Sequence, residues 1–208
     1  MLKLFWAPGA CSTAPHIVLE EIGEPFEPVK LNLREGDQRK PEFLALNPKG
    51  RVPALVTERG VLTENPAILA YLAHAFPESA LAPVDDPWAM GQVNSFNNFL
   101  SSGVHVAFAH AFRPERYGEG AEAAEAMKRR APHAVAELFA IVEEKLTGEW
   151  VHGDSYTISD PYLLVFTRWA MRGFMDMALF PALTEHARRV AARPAAQRAF
   201  AREEITLE

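Results

Sequence analysis

Two periodicities divide this sequence, and that division constrains the fold more than any single motif does. From residue 1 to about 77, short apolar runs alternate with helical patterns. Leu2–Trp6 reads as a strand, and residues 8–12 form a turn with a helix-start signal. Residues 15–22 carry Ile17, Val18 and Ile22 at helical spacing, and Gly23 is a natural stop. Residues 26–33 alternate like a strand, and residues 41–46 suit a short helix. Residues 52–56, a turn at Arg59-Gly60 and residues 61–63 read as a hairpin. Residues 64–76 then place Ile68, Tyr71, Leu72 and Phe76 on one helical face. The order strand, helix, strand, helix, strand, strand, helix predicts an α/β unit with a right-handed crossover between its first two strands.

Residues 78–86, between Pro77 and Pro87, have the composition of a linker. Beyond them the texture is helical: 88–112, 121–146 with Val135, Leu138, Phe139, Val142 and Leu146 in a stripe, 159–173, and 179–193. The expected organisation is an α/β domain over 1–77 and an all-helical domain over 87–208.

The bulk properties narrow the function. The 208 residues are 49% hydrophobic and 23% charged, ordinary for a globular protein. A formal charge of -6 argues against nucleic acid or an anionic membrane as the main partner. The lone cysteine, Cys11, rules out an intramolecular disulfide and fits a reducing compartment. The N-terminus lacks the apolar core of a signal peptide, and no run approaches the roughly 20 apolar residues of a membrane helix. A cytoplasmic location follows as an expectation. Histidines and carboxylates show no metal-ligand spacing, so no metal is expected.

Five places hold residues able to carry chemistry. Cys11 follows Pro8-Gly9 where a strand gives way to a helix, and a helix N-terminus would stabilise its thiolate and lower its pKa. Ser12 beside it is a candidate cap or hydrogen-bond donor to a bound sulfur. The alternative is a small buried hydrophobe with a simple cap. Arg51-Val52-Pro53 opens a strand and is compatible with a cis bond that would expose the Val52 backbone to an extended peptide, or with an ordinary strand start. Glu64 and Asn65 precede a helix and could bind an ammonium and a carboxylate, or simply cap it. Thr157 and Asp160 form a capping-box variant, read as structural. His105 lies on an apolar helical segment, where a core role competes with a functional one.

Taken together these segments resemble the glutathione transferase family, its bacterial beta class most closely. The resemblance rests on residues 7–12 (APGACS), 47–55 (NPKGRVPAL) and 62–64 (LTE). It continues through Asn98, Ser102 and His105, residues 153–163, Arg168-Trp169 and residues 191–194. It implies a thioredoxin-like domain with a four-stranded mixed sheet, an all-α C-terminal domain, a homodimer, and glutathione bound at the domain junction with no metal. By position, Cys11 matches the cysteine that meets the glutathione sulfur, with Ser12 and His105 beside it. Arg51, Val52 and Pro53 match the segment that pairs with the tripeptide, and Glu64 and Asn65 the γ-glutamyl site. Asn98 and Ser102 match groups reaching the ligand from the neighbouring subunit. A small-molecule electrophile is expected against Phe108, Phe112 and Trp169. The chain departs from the family at Phe5 and Trp6, which stand where a tyrosine is usual and offer no hydroxyl, and at Val106 and Gly103, where lysine and glutamate are common. The implied activity is conjugation of glutathione to an electrophile, or thiol–disulfide exchange at Cys11. Against it stand a non-catalytic binding or structural protein of the same fold and a narrow glutathione-dependent dehalogenase or isomerase.

Overall fold

A computed structural model describes residues 1–208. Four strands, β1 (Leu2–Trp6), β2 (Phe26–Lys30), β3 (Ala54–Thr57) and β4 (Gly60–Thr63), form one sheet in the order β2-β1-β3-β4. β1 and β2 run parallel across the helix α1 (Thr13–Ile22), and the other two pairs are antiparallel. Helix α2 (Pro41–Leu46) and helix α3 (Asn65–Ala75) complete this half. The register puts Leu4 beside Leu55 and Leu55 beside Leu62, so alternate residues face one core. Leu4 and Leu55 are fully buried there with Ile68, Leu69 and Leu72 of α3.

Two strands are shorter than the alternation suggests. β2 stops at Lys30 because Asn32 captures the chain: its side chain accepts from the N–H groups of Arg34 and Glu35, and its own N–H donates to Asp37. β3 starts at Ala54 because Val52–Pro53 is a cis peptide, and proline offers the ladder no N–H.

The helical half begins with α4 (Pro87–Phe99), capped by Asp86, whose carboxylate accepts from the N–H groups of Trp88 and Ala89. The expected single helix over 88–112 is in fact α4, a π-helical turn at Leu100–Val104, and α5 (His105–Phe112). Next come α6 (Gly120–Lys145), α7 (Ser159–Met171), α8 (Pro181–Ala191) and α9 (Pro194–Glu203). The periodicity reading stopped at residue 193 and missed α9. No helix is long and apolar enough to cross a membrane.

Helix α7 is the spine that joins the halves. Residues 159–168 are all buried, and α7 packs on α1, α4 and α8. Its N-terminus is fixed as the capping box predicts. The buried Asp160 carboxylate accepts from the Thr157 N–H (2.7 Å) and hydroxyl (3.1 Å), and Thr157 Oγ1 accepts from the Ser159 N–H (3.3 Å). Asp160 also accepts from the Val151 N–H (2.8 Å) and contacts His186 Nε2 on α8 (2.9 Å). Asp160→Ala would strand three buried polar groups and the part-buried Val151 N–H. It should lower the unfolding free energy in urea by about 3–5 kcal/mol, the scale for breaking a buried charge network.

Candidate active site

The β1–α1 loop, the Val52–Pro53 turn, the start of α3 and helices α5 and α7 enclose a cleft of about 410 Å³. Of the residues singled out from sequence, it brings together Cys11, Arg51, Val52, Pro53, Glu64, Asn65, His105, Phe112 and Trp169.

Each wall has a local cause. Gly9 adopts φ +63°, and a β-carbon there would lie 2.9 Å from the Arg168 guanidinium. Its carbonyl accepts from Trp169 Nε1 (2.8 Å), and its N–H donates to Glu203 at the end of α9 (2.9 Å). The same carboxylate accepts from Thr13 Oγ1 (2.7 Å) and contacts His16 Nδ1 (2.8 Å), all of it buried. On the opposite wall Asn47 donates to the Arg51 carbonyl (2.7 Å) and accepts from the Lys49 N–H (3.2 Å), which shapes the turn before Pro53. Glu64 sits at φ 74°, rare for a residue with a side chain, and pairs with Lys49 at 2.6 Å. That pair is solvent-exposed and adds little stability.

The electrostatics of Cys11 reverse the expectation from sequence. Burial pushes the thiol up from 9.0 to about 12, against a smaller opposing pull from the Asn65 amide. Helix α1 begins only at Thr13, so Cys11 lies before its first turn. The thiol donates to the Val52 carbonyl (3.3 Å). Cys11 is therefore a neutral hydrogen-bond donor in the free protein, not a thiolate. Ser12 also departs from its expected role. It is fully buried, makes no helix cap, and its hydroxyl accepts from the Ala7 N–H (3.1 Å) and faces the Ala7 carbonyl (3.4 Å). It braces the turn from behind and lines no part of the cleft.

His105 does face the cleft. Burial, then the charges of Arg51 and Arg116, lower its pKa to about 4, so it is neutral at pH 7. Its ring packs on Phe166 (5.5 Å) and Trp169 (5.4 Å). Phe108, expected at the electrophile site, is fully buried against Phe112, Phe139, Phe166 and Phe174 and supports the wall without forming it. Asn98 and Ser102 are exposed and lie outside this cleft; Ser102 Oγ donates to the Asn98 carbonyl (2.8 Å).

Sequence reasoning missed Tyr162, which lines the cleft from α7. Burial and then the nearness of Cys11 raise the pKa of its phenol, while the adjacent Asn65 amide lowers it. Cys11, Asn65 and Tyr162 thus share one small region. The helical spacing of Tyr162, Phe166 and Trp169 was the available signal, since it puts all three on one face. Phe5, packed at a tilt on Phe43 (5.5 Å), and Trp6, packed on His16 (5.2 Å), lie outside the cleft, so the aromatic pair in place of the family tyrosine supplies no hydroxyl. Glu203 was missed too, because nothing local marks a partner 190 residues from Thr13.

Two measurements test this geometry. Alkylation of Cys11 at pH 7.5 should run at least about 100-fold slower than that of a free thiol and keep rising past pH 10; a plateau below pH 9 would contradict the neutral thiol. The raised pKa also sets a sign: its contribution to stability is complete below about pH 9 and is lost as pH climbs towards about 12. Glu203→Gln should cost about 2–3 kcal/mol in urea unfolding and speed the alkylation of Cys11, because the loop carrying it loses its anchor.

The sequence and the fold were compared with known proteins. Residues 1–74 match the model for the glutathione S-transferase N-terminal domain, and residues 99–194 that for the C-terminal domain. The chain is 34% identical over 206 residues to glutathione S-transferase GstA of Escherichia coli O157:H7, covering 97% of this chain and 98% of that protein. A glutathione transferase homologue from Sulfitobacter, solved with bound glutathione, superposes with a TM-score of 0.92 at 36% identity over 97% of this chain and 98% of that one. The bacterial beta-class glutathione S-transferase of Sphingomonas chungbukensis superposes with a TM-score of 0.86 at 39% identity, covering 98% and 100%. With both domain models matched in order and whole-chain likeness to beta-class members, the chain belongs to the glutathione S-transferase family.

Proposed function

We propose that this chain is a glutathione transferase that binds glutathione in the cleft and conjugates its sulfur to a small electrophile. The observation that carries the reading is the cleft itself. A thiol, an amide and a phenol converge in one region, beside the start of α3 and the cis Val52–Pro53 bond. In this proposal the Val52 backbone pairs with the cysteinyl part of glutathione. Glu64 receives the γ-glutamyl ammonium, and the N-terminus of α3 with Asn65 receives its carboxylate. Arg51 is a further group for the tripeptide. Family likeness extends the proposal to a homodimer in which the exposed Asn98 and Ser102 approach the partner's ligand.

The chemistry follows from the protonation states. At pH 7 a thiol with a pKa of about 12 is ionised in roughly one molecule in 10⁵, so Cys11 is a poor nucleophile unless binding changes it. The glutathione sulfur is the nucleophile in this mechanism. When the tripeptide takes over the Val52 carbonyl, the Cys11 S–H is released to donate to that sulfur. The Tyr162 hydroxyl stands in for the absent N-terminal tyrosine as a second donor, and Asn65 orients both. Together they lower the pKa of bound glutathione, so that its thiol proton is lost to solvent. Its thiolate then forms a carbon–sulfur bond as the leaving group departs with its electron pair. Neutral His105 contributes polarity without a competing proton.

Steady-state turnover of a chloronitrobenzene with glutathione is the direct test, run beside a glutathione mixed disulfide. Turnover of the second substrate alone would replace conjugation by thiol exchange at Cys11, and tight glutathione binding with neither turnover would favour a binding protein. Tyr162→Phe should raise the pKa of bound glutathione, followed by thiolate ultraviolet absorbance. It should lower kcat/KM about tenfold or more below that pKa, with a smaller loss at high pH.

A further inference from the structure

The far end of the cleft carries an electrostatic feature that glutathione binding does not require. Arg113 and Arg116 line it, near enough to Arg51 beside the tripeptide's pairing segment for the three charges to act on one another. None of the three guanidiniums has a carboxylate partner, whereas Arg193, Arg198 and Arg202 are all paired with Glu20 or Glu21. Arg113 donates only to the Phe112 carbonyl (2.8 Å). The nearby carboxylates are Glu64, already paired with Lys49, and Glu115, whose influence on Arg116 is the weakest of its neighbours'. Partial burial, then Arg51 and Arg113, depress the pKa of Arg116, the mark of cations held together without a counter-charge. This occurs on a chain with a net charge of -6, so the cationic patch is local.

Its placement relative to the sulfur site is set by α5. His105, Ala109 and Arg113 follow one another at helical spacing along the cleft-facing side. Arg113 lies about 12 Å along the axis from His105 at 1.5 Å per residue. Between them the wall is apolar and aromatic: Val106, Ala109, Phe112 and Trp169. Along α5 the cleft wall thus passes from the neutral His105 through an aromatic-lined middle to Arg113 and Arg116 at and beyond the helix end.

We propose that the second substrate of this chain is an anionic electrophile: an apolar, ring-sized body carrying the reactive carbon, with a carboxylate or similar oxyanion at its far end held by Arg113 and Arg116. This rests on the glutathione reading above and narrows it. The aromatic walls bury the body of the substrate, and the guanidinium pair neutralises its charge through charge-assisted hydrogen bonds. Neutral electrophiles of the same shape leave the cations uncompensated and bind less well.

Two conjugates that differ only in the anion separate the outcomes. Binding of S-benzylglutathione and S-(4-carboxybenzyl)glutathione is measured by calorimetry on the full-length protein. The carboxylated conjugate should bind about five- to tenfold tighter, with an advantage that shrinks as salt is raised. In Arg113→Gln and Arg116→Gln, both at exposed positions, that advantage should fall towards unity. Equal binding of the two conjugates to the unaltered protein overturns the anion proposal while leaving the glutathione site intact. An equal loss for both conjugates in the arginine variants also overturns it, because the arginines would then be holding glutathione. Failure of both conjugates to bind overturns the glutathione reading and this proposal with it.

Discussion

The buried carboxylate of Glu203 holds the working end of this molecule together. The β1–α1 loop that carries Cys11 cannot organise itself: its residues are small, and Gly9 has a left-handed backbone that would otherwise be free to move. Glu203 gathers the Gly9 N–H, the Thr13 hydroxyl and His16 from a helix at the opposite end of the chain. Trp169 adds a hydrogen bond to the Gly9 carbonyl, and Arg168 closes the arrangement by donating to the Thr206 carbonyl. The helical half therefore does more than supply one wall of the cleft. It fixes the geometry of a loop that belongs to the other half, and the two cannot be assembled independently.

Around that loop the groups at the sulfur site are themselves kept neutral. Burial holds the Cys11 thiol and the Tyr162 phenol in their protonated forms and His105 in its neutral form. An anion placed among neutral donors is stabilised by hydrogen bonds without being discharged by proton transfer from a stronger acid. The charge of Arg51 reaches both Cys11 and His105, while Arg113 and Arg116 line the cleft at and beyond the end of α5. Helix α5 sets Arg113 apart from His105 by simple rise along its axis.

Much of the fold was legible because it depends on period. The alternation of residues 1–77 and the stripe of α6 reflect burial, and burial is written locally. The box of Thr157 and Asp160 was equally plain, since its partners lie three residues apart. What failed did so for long-range reasons. The helix dipole suggested an ionised Cys11, but desolvation by residues distant in sequence outweighs it. Ser12 had a capping pattern and turned inward instead, because the Ala7 peptide needed a partner. Phe108 was placed at the substrate surface, yet the aromatic cluster that buries it comes from three other segments. Tyr162 and Glu203 acquire their meaning only from groups more than 90 residues away.

The π-helical turn at Leu100–Val104 has a consequence for how this family member can diverge. Such a turn holds about one residue more than an α-helical turn, which rotates everything after it by about 100° relative to everything before it. Helices α4 and α5 are thus one continuous rod cut into two angular frames: Met90, Val93 and Phe96 keep their fit to the interior in the first, while His105, Val106 and Ala109 present to the cleft in the second. Loss of a single codon inside the turn would close it to an ordinary α-helical turn and keep His105, Val106 and Ala109 on the cleft. The rod can therefore change length at this point without changing which side chains meet the ligand.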